Sequence, residues 1–244
     1  MRISICGTQC IGKSTFIKDF IAAWPTYKLS DRPRYTDLIK EKNLKLNEDG
    51  NEESQQIILN SVIDQVMYTP KESNTLFDRS VLDNLIYTMW LNAKGKVSDK
   101  FVTDSIKLVR ESLVFYDILF FLPITKQSPV PFEPDVNRST SAEYRGEIDN
   151  IFKAVINQYN TGNKMYFPFD HKDGCPAIIE IYGNREQRIA LTRMYLNDKG
   201  EQYGEDESLL TLTPEELEAK EALESIASPI QMRNKDIITI SKKN

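Results

Sequence analysis

The sequence predicts an α/β domain built on a parallel sheet with helices on both faces, followed by a helical extension. Three observations carry that expectation. Short apolar runs end in polar or turn residues, as buried parallel strands do. Segments of helical period alternate with them, which implies strand–helix–strand crossovers. One glycine-rich loop joins the first apolar run to the first helix.

The strand candidates are residues 2–6, 75–77 before Asp78, 118–122 before Pro123 and 177–182 before Gly183, with a weaker one at 27–30. A helix is expected from Ser14 to Trp24. Another carries Ile58, Val62 and Val66, with Leu59, Ile63 and Met67, and stops at Pro70. Val102, Ile106, Val109 and Leu113 share one face behind the cap Ser98. Residues 123–140 hold four prolines (Pro123, Pro129, Pro131, Pro134) and no apolar period, so they read as a long loop of the kind that forms lids. Thr140 and Glu143 suggest a capping box for the next helix, whose buried face is Ile148, Phe152, Val155 and Tyr159 and which ends near Gly162. Thr213-Pro214-Glu215-Glu216 predicts one more helix start. The expected division is a domain over 1–200, with a lid region at about 123–145, and an acidic extension over 201–244.

At 244 residues, 40% hydrophobic and 27% charged, the chain is long enough for one such domain to bury a core. No run approaches the eighteen or so apolar residues of a membrane span, so the expectation is a soluble, cytoplasmic protein without a membrane partner. Three cysteines (Cys6, Cys10, Cys175) with no CxxC spacing indicate neither a disulfide framework nor a zinc site. The net charge of −5 argues against a large nucleic-acid footprint, which needs a basic surface. Small anionic ligands need only a local positive pocket.

Gly7-Thr8-Gln9-Cys10-Ile11-Gly12-Lys13-Ser14 matches G-x-x-x-x-G-K-[ST], in the strand–loop–helix context that the phosphate-binding loop requires. Backbone N–H groups of residues 9–14 are expected to wrap the β-phosphate of ATP, with Gly7 and Gly12 allowing close approach and the helix N-terminus adding positive potential. Lys13 is expected on the β- and γ-phosphates and the Ser14 hydroxyl on Mg2+. Gln9, Cys10, Ile11 and Thr15 complete the expected ATP-binding set.

A second constellation is Leu76-Phe77-Asp78-Arg79-Ser80, an acid and a base at the end of a strand. Asp78 reads as a magnesium-side carboxylate or a general base, against the plainer role of capping the helix that follows. Arg79 and Arg34 read as clamps for an acceptor phosphate, a geometry lysine does not supply, against structural ion pairs. Arg138 and Arg145 lie in or beside the lid, where a cation can offset charge developing on a transferred phosphoryl group. Gln55 and Gln56 read as surface residues. His171, the only histidine, and the aromatic stretch 166–169 are given no catalytic part.

Asp78-Arg79-Ser80 with Asp83 and Tyr87 resembles the "DR…D…Y" segment of nicotinamide-riboside-kinase-like P-loop proteins, and is similar to the Asp-Arg motif of thymidylate kinases and the Glu-Arg-Ser motif of deoxynucleoside kinases. Residues 116–122 resemble the fourth strand of that group, Asp135-Val136-Asn137-Arg138 its lid, and Gly183-Asn184-Arg185-Glu186-Gln187-Arg188 the exit from its last strand. Asp31-Arg32-Pro33-Arg34 resembles its acid-x-x-Arg element. The resemblance spans about residues 1–196. It implies a P-loop NTPase fold with five strands in the order 2-3-1-4-5, ATP and Mg2+ as cofactors, and a kinase acting on a nucleoside or nucleoside monophosphate. By the same resemblance Asp31, Arg34, Arg79 and Asp83 bind the acceptor, Arg185 binds ATP, and Lys13, Asp78 and Arg138 are catalytic. Some members of the group are bacteriophage proteins, which would put this chain in a host cytoplasm. Two other readings stand beside it: a nucleotide-dependent regulatory ATPase, and a kinase for a nucleic-acid end or modified base. No Asn-Lys-x-Asp motif supports a GTPase, and a homo-oligomer is left open.

Overall fold

The computed structural model describes residues 1–31, 35–126, 141–161, 165–167 and 174–203. Arg34, Arg138, Thr140, His171 and the helix start at 213–216 lie outside the described residues. The chain divides into two compact units, Met1–Leu191 and Thr192–Asn244.

In the first unit, β1 (Arg2–Cys6), β2 (Lys28–Leu29), β3 (Thr75–Asp78), β4 (Ile118–Phe121) and β5 (Ala177–Glu180) form one sheet. Its order is β2-β3-β1-β4-β5 and every pairing is parallel. This is the P-loop NTPase arrangement that the family resemblance implied. The register sets Ile5 beside Asp78 and Cys6 beside Phe121. The carboxyl ends of β1, β3 and β4 therefore share one edge, where ligands of open α/β sheets bind.

Alternation along the strands divides the core into two layers. Phe120 meets Phe16 and Phe20 of α1 (Lys13–Ala23), and Phe20 packs in turn on Trp24 and Tyr27. Its neighbour Phe121 points the other way and stacks on Phe152 at 5.3 Å, while Phe77 meets Tyr116 edge-on. That second layer is closed by α3 (Glu52–Met67), α4 (Val81–Ala93), α5 (Asp99–Leu113) and α6 (Ala142–Asn160). A short α2 (Tyr35–Lys42) precedes α3, and α7 (Arg185–Arg193) follows β5.

Caps account for the helix starts. Asn51 opens α3, accepting from the Ser54 N–H, and Ser98 opens α5, accepting from the Phe101 N–H. The cap of α6 is Ser141, accepting from the Tyr144 N–H, one residue beyond the expected Thr140. Both residue types can cap, and the helix begins after the second. In the second unit, among residues 192–203, Arg193 pairs with Asp198 and Leu196 bridges Gln202. No helix among the described residues is long and apolar enough to cross a membrane.

Candidate active site

The loop between β1 and α1 is shaped by backbone that ordinary residues avoid. Gly7 has φ 135, Cys10 φ 57 and Gly12, the N-cap of α1, φ 84. A Cβ on Gly7 would stand 2.6 Å from the Leu122 carbonyl oxygen, so the loop leaves β1 in contact with the end of β4 and only glycine fits. Gln9 and Ile11 are buried, Cys10 is half-buried, and Ser14 and Thr15 are exposed in the first turn of α1.

Lys13 is 7% exposed and its Nζ donates to the carbonyls of Gly7 (2.8 Å) and Thr8 (2.6 Å). Burial, with the like charge of Arg79 nearby, pulls its pKa down to about 8, against the opposing pull of Asp83 and Asp78. A buried ammonium whose hydrogen bonds go to neutral carbonyls fits an anionic ligand, because a phosphate would offset the solvation that burial has removed. The residues present therefore suit a nucleotide triphosphate.

The end of β3 supplies the facing groups. Asp78 is half-buried, and its carboxylate makes no hydrogen bond among the described residues. It is not the cap of α4: Ser80 fills that place, accepting from the Leu82 and Asp83 N–H groups, while Asp83 returns the bond to the Ser80 N–H in a full capping box. The capping alternative for Asp78 thus falls away. Arg79 sits in the left-handed region at φ 88, a conformation costly for a non-glycine residue and concentrated at functional sites. Its guanidinium lies 3.7 Å from Asp83 and 5.3 Å over the Tyr87 ring.

Asp83 turns out to brace the site from behind. Only 1% exposed, it accepts from the Gly7 N–H at 3.2 Å as well as from Ser80, tying the phosphate loop to the start of α4. Burial raises its pKa, although Arg79, Lys13 and Ser80 all favour the carboxylate. Its carboxylate oxygens are taken up by these N–H and hydroxyl donors, at the place where the expected acceptor contact would lie.

Arg185, expected to bind ATP, lies at the start of α7. It forms a bidentate pair with Asp19 on α1, at 2.6 and 2.9 Å, with its side chain 72% exposed. The arginine that reaches the phosphate loop is Arg188, 5% exposed, whose Nη1 donates to the Ile11 carbonyl at 2.9 Å and Nε to that of Gly183. The two are three apart on α7 and so lie on adjoining parts of one face, from which Arg188 reaches the loop and Arg185 reaches α1. Asp31 is exposed just beyond β2. Arg145 is half-buried in the first turn of α6.

Gln55 is buried rather than at the surface. Its side-chain oxygen accepts from Asn84 at 3.0 Å and Thr88 at 3.4 Å. The signal was present in the sequence: 55, 59, 62 and 66 continue one helical face. Gln56 instead bonds to Asn60 along the exposed side of α3.

The family model described as "AAA domain" matches residues 2–163, two thirds of the chain, and the protein belongs to this family of P-loop domains. Among solved structures it shares its fold with nucleoside and nucleotide kinases. NadR protein in complex with NAD and AMP-PNP aligns with TM-score 0.53 at 13% identity, covering 83% of this chain and 50% of that one. The chain thus spans half the length of NadR. Deoxyadenosine kinase from M. mycoides with dCMP and dCDP gives 0.53 at 17% identity, over 78% of this chain and 95% of that one. Thymidylate kinase from Candida albicans gives 0.54 at 15%, over 84% and 95%. No curated protein sequence matches the chain.

Proposed function

We propose that the protein is an ATP-dependent kinase that transfers the γ-phosphate to a nucleoside-like or nucleotide-like acceptor. One observation carries the reading: the buried Lys13 ammonium in a glycine-shaped loop stands at the same sheet edge as the unpartnered Asp78 carboxylate. A cation for phosphates and a carboxylate for a hydroxyl are the two groups that phosphoryl transfer to an alcohol requires.

In this account the loop from Gly7 to Thr15 holds the phosphates, with Gln9, Cys10, Ile11, Gly12 and Ser14 contributing backbone N–H groups and Lys13 its charge. Arg188 stiffens the loop through Ile11, and Arg185 takes no direct part. Ser14 and Asp78 are the oxygen donors for magnesium, which when bound would offset the negative charge of the phosphates. Asp78 also takes the proton of the acceptor hydroxyl as its oxygen bonds to the γ-phosphorus and the bond to the β–γ bridging oxygen breaks. Arg79 stabilises the charge on the transferring group, joined by Arg138 from the lid. Arg34 and Asp31 contact the acceptor. The printed ligands of the similar structures, AMP-PNP in NadR and dATP in a deoxyadenosine kinase, support a nucleotide triphosphate as donor.

The test is a panel of nucleosides, nucleoside monophosphates and oligonucleotides incubated with γ-labelled ATP and magnesium. Label on a nucleoside or monophosphate is expected. Label on oligonucleotides alone would move the assignment to polymer ends.

A further inference from the structure

Three buried polar atoms near the end of β3 have no hydrogen-bond partner: Asn84 Oδ1, the Tyr87 hydroxyl and the Tyr144 hydroxyl. Asn84 and Tyr144 are 5% and 2% exposed, and each such atom costs stability while it stays unpaired. The three belong to one neighbourhood. Asn84 and Tyr87 are three apart on α4 and so lie on adjoining parts of one face. The Tyr87 and Tyr144 rings are 6.3 Å apart, and Tyr144 meets Trp90 edge-on at 4.6 Å. Arg79, whose guanidinium lies over Tyr87, connects the group to the carboxyl end of β3. Tyr144 stands in the first turn of α6, just after the segment 123–140 expected to form the lid.

We propose that Asn84, Tyr87 and Tyr144 form the recognition wall for an uncharged nucleoside, in preference to a nucleoside 5′-monophosphate. This rests on the kinase reading and narrows its acceptor. The chemistry of the wall sets the class. Both Asn84 amide hydrogens are committed, Nδ2 donating to the Gln55 carbonyl at 3.1 Å and to Gln55 Oε1 at 3.0 Å. Asn84 Oδ1 can therefore only accept, and demands an N–H or O–H from the ligand. The two phenols can donate or accept, and their rings offer aromatic surface to a planar base. A phosphate has acceptor oxygens and negative charge, which do not suit an amide oxygen whose hydrogens are already committed. A nucleoside has hydroxyl and ring donors together with a flat face.

An orphaned hydroxyl gives a distinctive test. Tyr87→Phe and Tyr144→Phe each delete the polar atom and keep the ring. Urea unfolding of the full chain should show both variants at least as stable as wild type, since no native bond is lost. Calorimetric titration with adenosine, thymidine, deoxycytidine and guanosine should show at least one nucleoside binding wild type more tightly than its 5′-monophosphate. Each variant should bind that nucleoside about tenfold more weakly, with ATP affinity unchanged. Loss of stability in the variants, unchanged nucleoside affinity, tighter binding of monophosphates, or no nucleoside binding to wild type each overturns the wall. Nucleoside binding that weakens in the variants without any label transfer from ATP upholds the wall and removes the kinase reading instead.

Discussion

Replacing Lys13 with methionine should make the protein more stable at neutral pH while removing its activity. Burial has lowered the lysine from its ordinary 10.5 to about 8, so keeping the ammonium charged inside the loop costs about 3 kcal/mol at roughly 1.4 kcal/mol per pKa unit. Its bonds to the Gly7 and Thr8 carbonyls return about 1 kcal/mol each. Methionine fills similar space without charge, leaving Lys13→Met ahead by about 1 kcal/mol at pH 7. The sign with pH follows from proton counting. Between about 8 and 10.5 the unfolded lysine holds a proton that the folded one has released, so wild-type stability rises with pH in that window. The variant's lead should shrink and then reverse, a swing of about 3 kcal/mol in total. Urea unfolding of both proteins at pH 7, 8, 9 and 10 measures this, since titrations common to both cancel in the difference. Transfer should fall at least about a hundredfold at every pH. A stability difference that stays constant from pH 7 to 10 would refute the buried, depressed lysine and the argument that the loop awaits an anion.

Asp78→Asn should lower turnover strongly with little change in melting temperature, because Ser80 and Asp83, not Asp78, cap α4; a collapse in stability with normal turnover of the folded fraction would make it structural. Arg188→Ala should weaken ATP binding by freeing the Ile11 carbonyl, whereas Arg185→Ala should leave ATP affinity unchanged and cost under about 1 kcal/mol, as exposed ion pairs do. The opposite pattern in a nucleotide titration would restore Arg185 to the site. Arg138→Ala should lower kcat while leaving ATP affinity nearly constant, as expected of a cation that acts mainly in the transition state; equal loss in both would make it an ordinary binding contact.

Much of the fold was readable because its signals are local. The match from Gly7 to Ser14 sits in one continuous segment, and the strand runs are bounded by turn residues that stop them. Ser98 was recognisable as a cap because its hydroxyl bonds three residues ahead. What escaped depends on convergence. Asp83 looks like a substrate ligand in a motif, yet its role comes from Gly7, brought to it by the pairing of β1 with β3. Arg185 and Arg188 are alike in sequence, and only the docking of α7 against α1 and the loop tells them apart. The orphaned Tyr87 and Tyr144 hydroxyls could not be foreseen, since the two residues are far apart in the chain and their rings meet only when α6 crosses α4.

The most direct measurement follows the γ-phosphate itself. Full-length protein, γ-labelled ATP, magnesium and the nucleoside found to bind best are mixed, and label is counted on the nucleoside, on ATP and as inorganic phosphate while ADP is quantified. The account predicts one labelled nucleoside 5′-phosphate for each ADP formed, with Lys13→Met and Asp78→Asn both deficient. ADP accompanied only by inorganic phosphate, at a rate indifferent to the nucleoside, would contradict it and make the protein a nucleotide hydrolase.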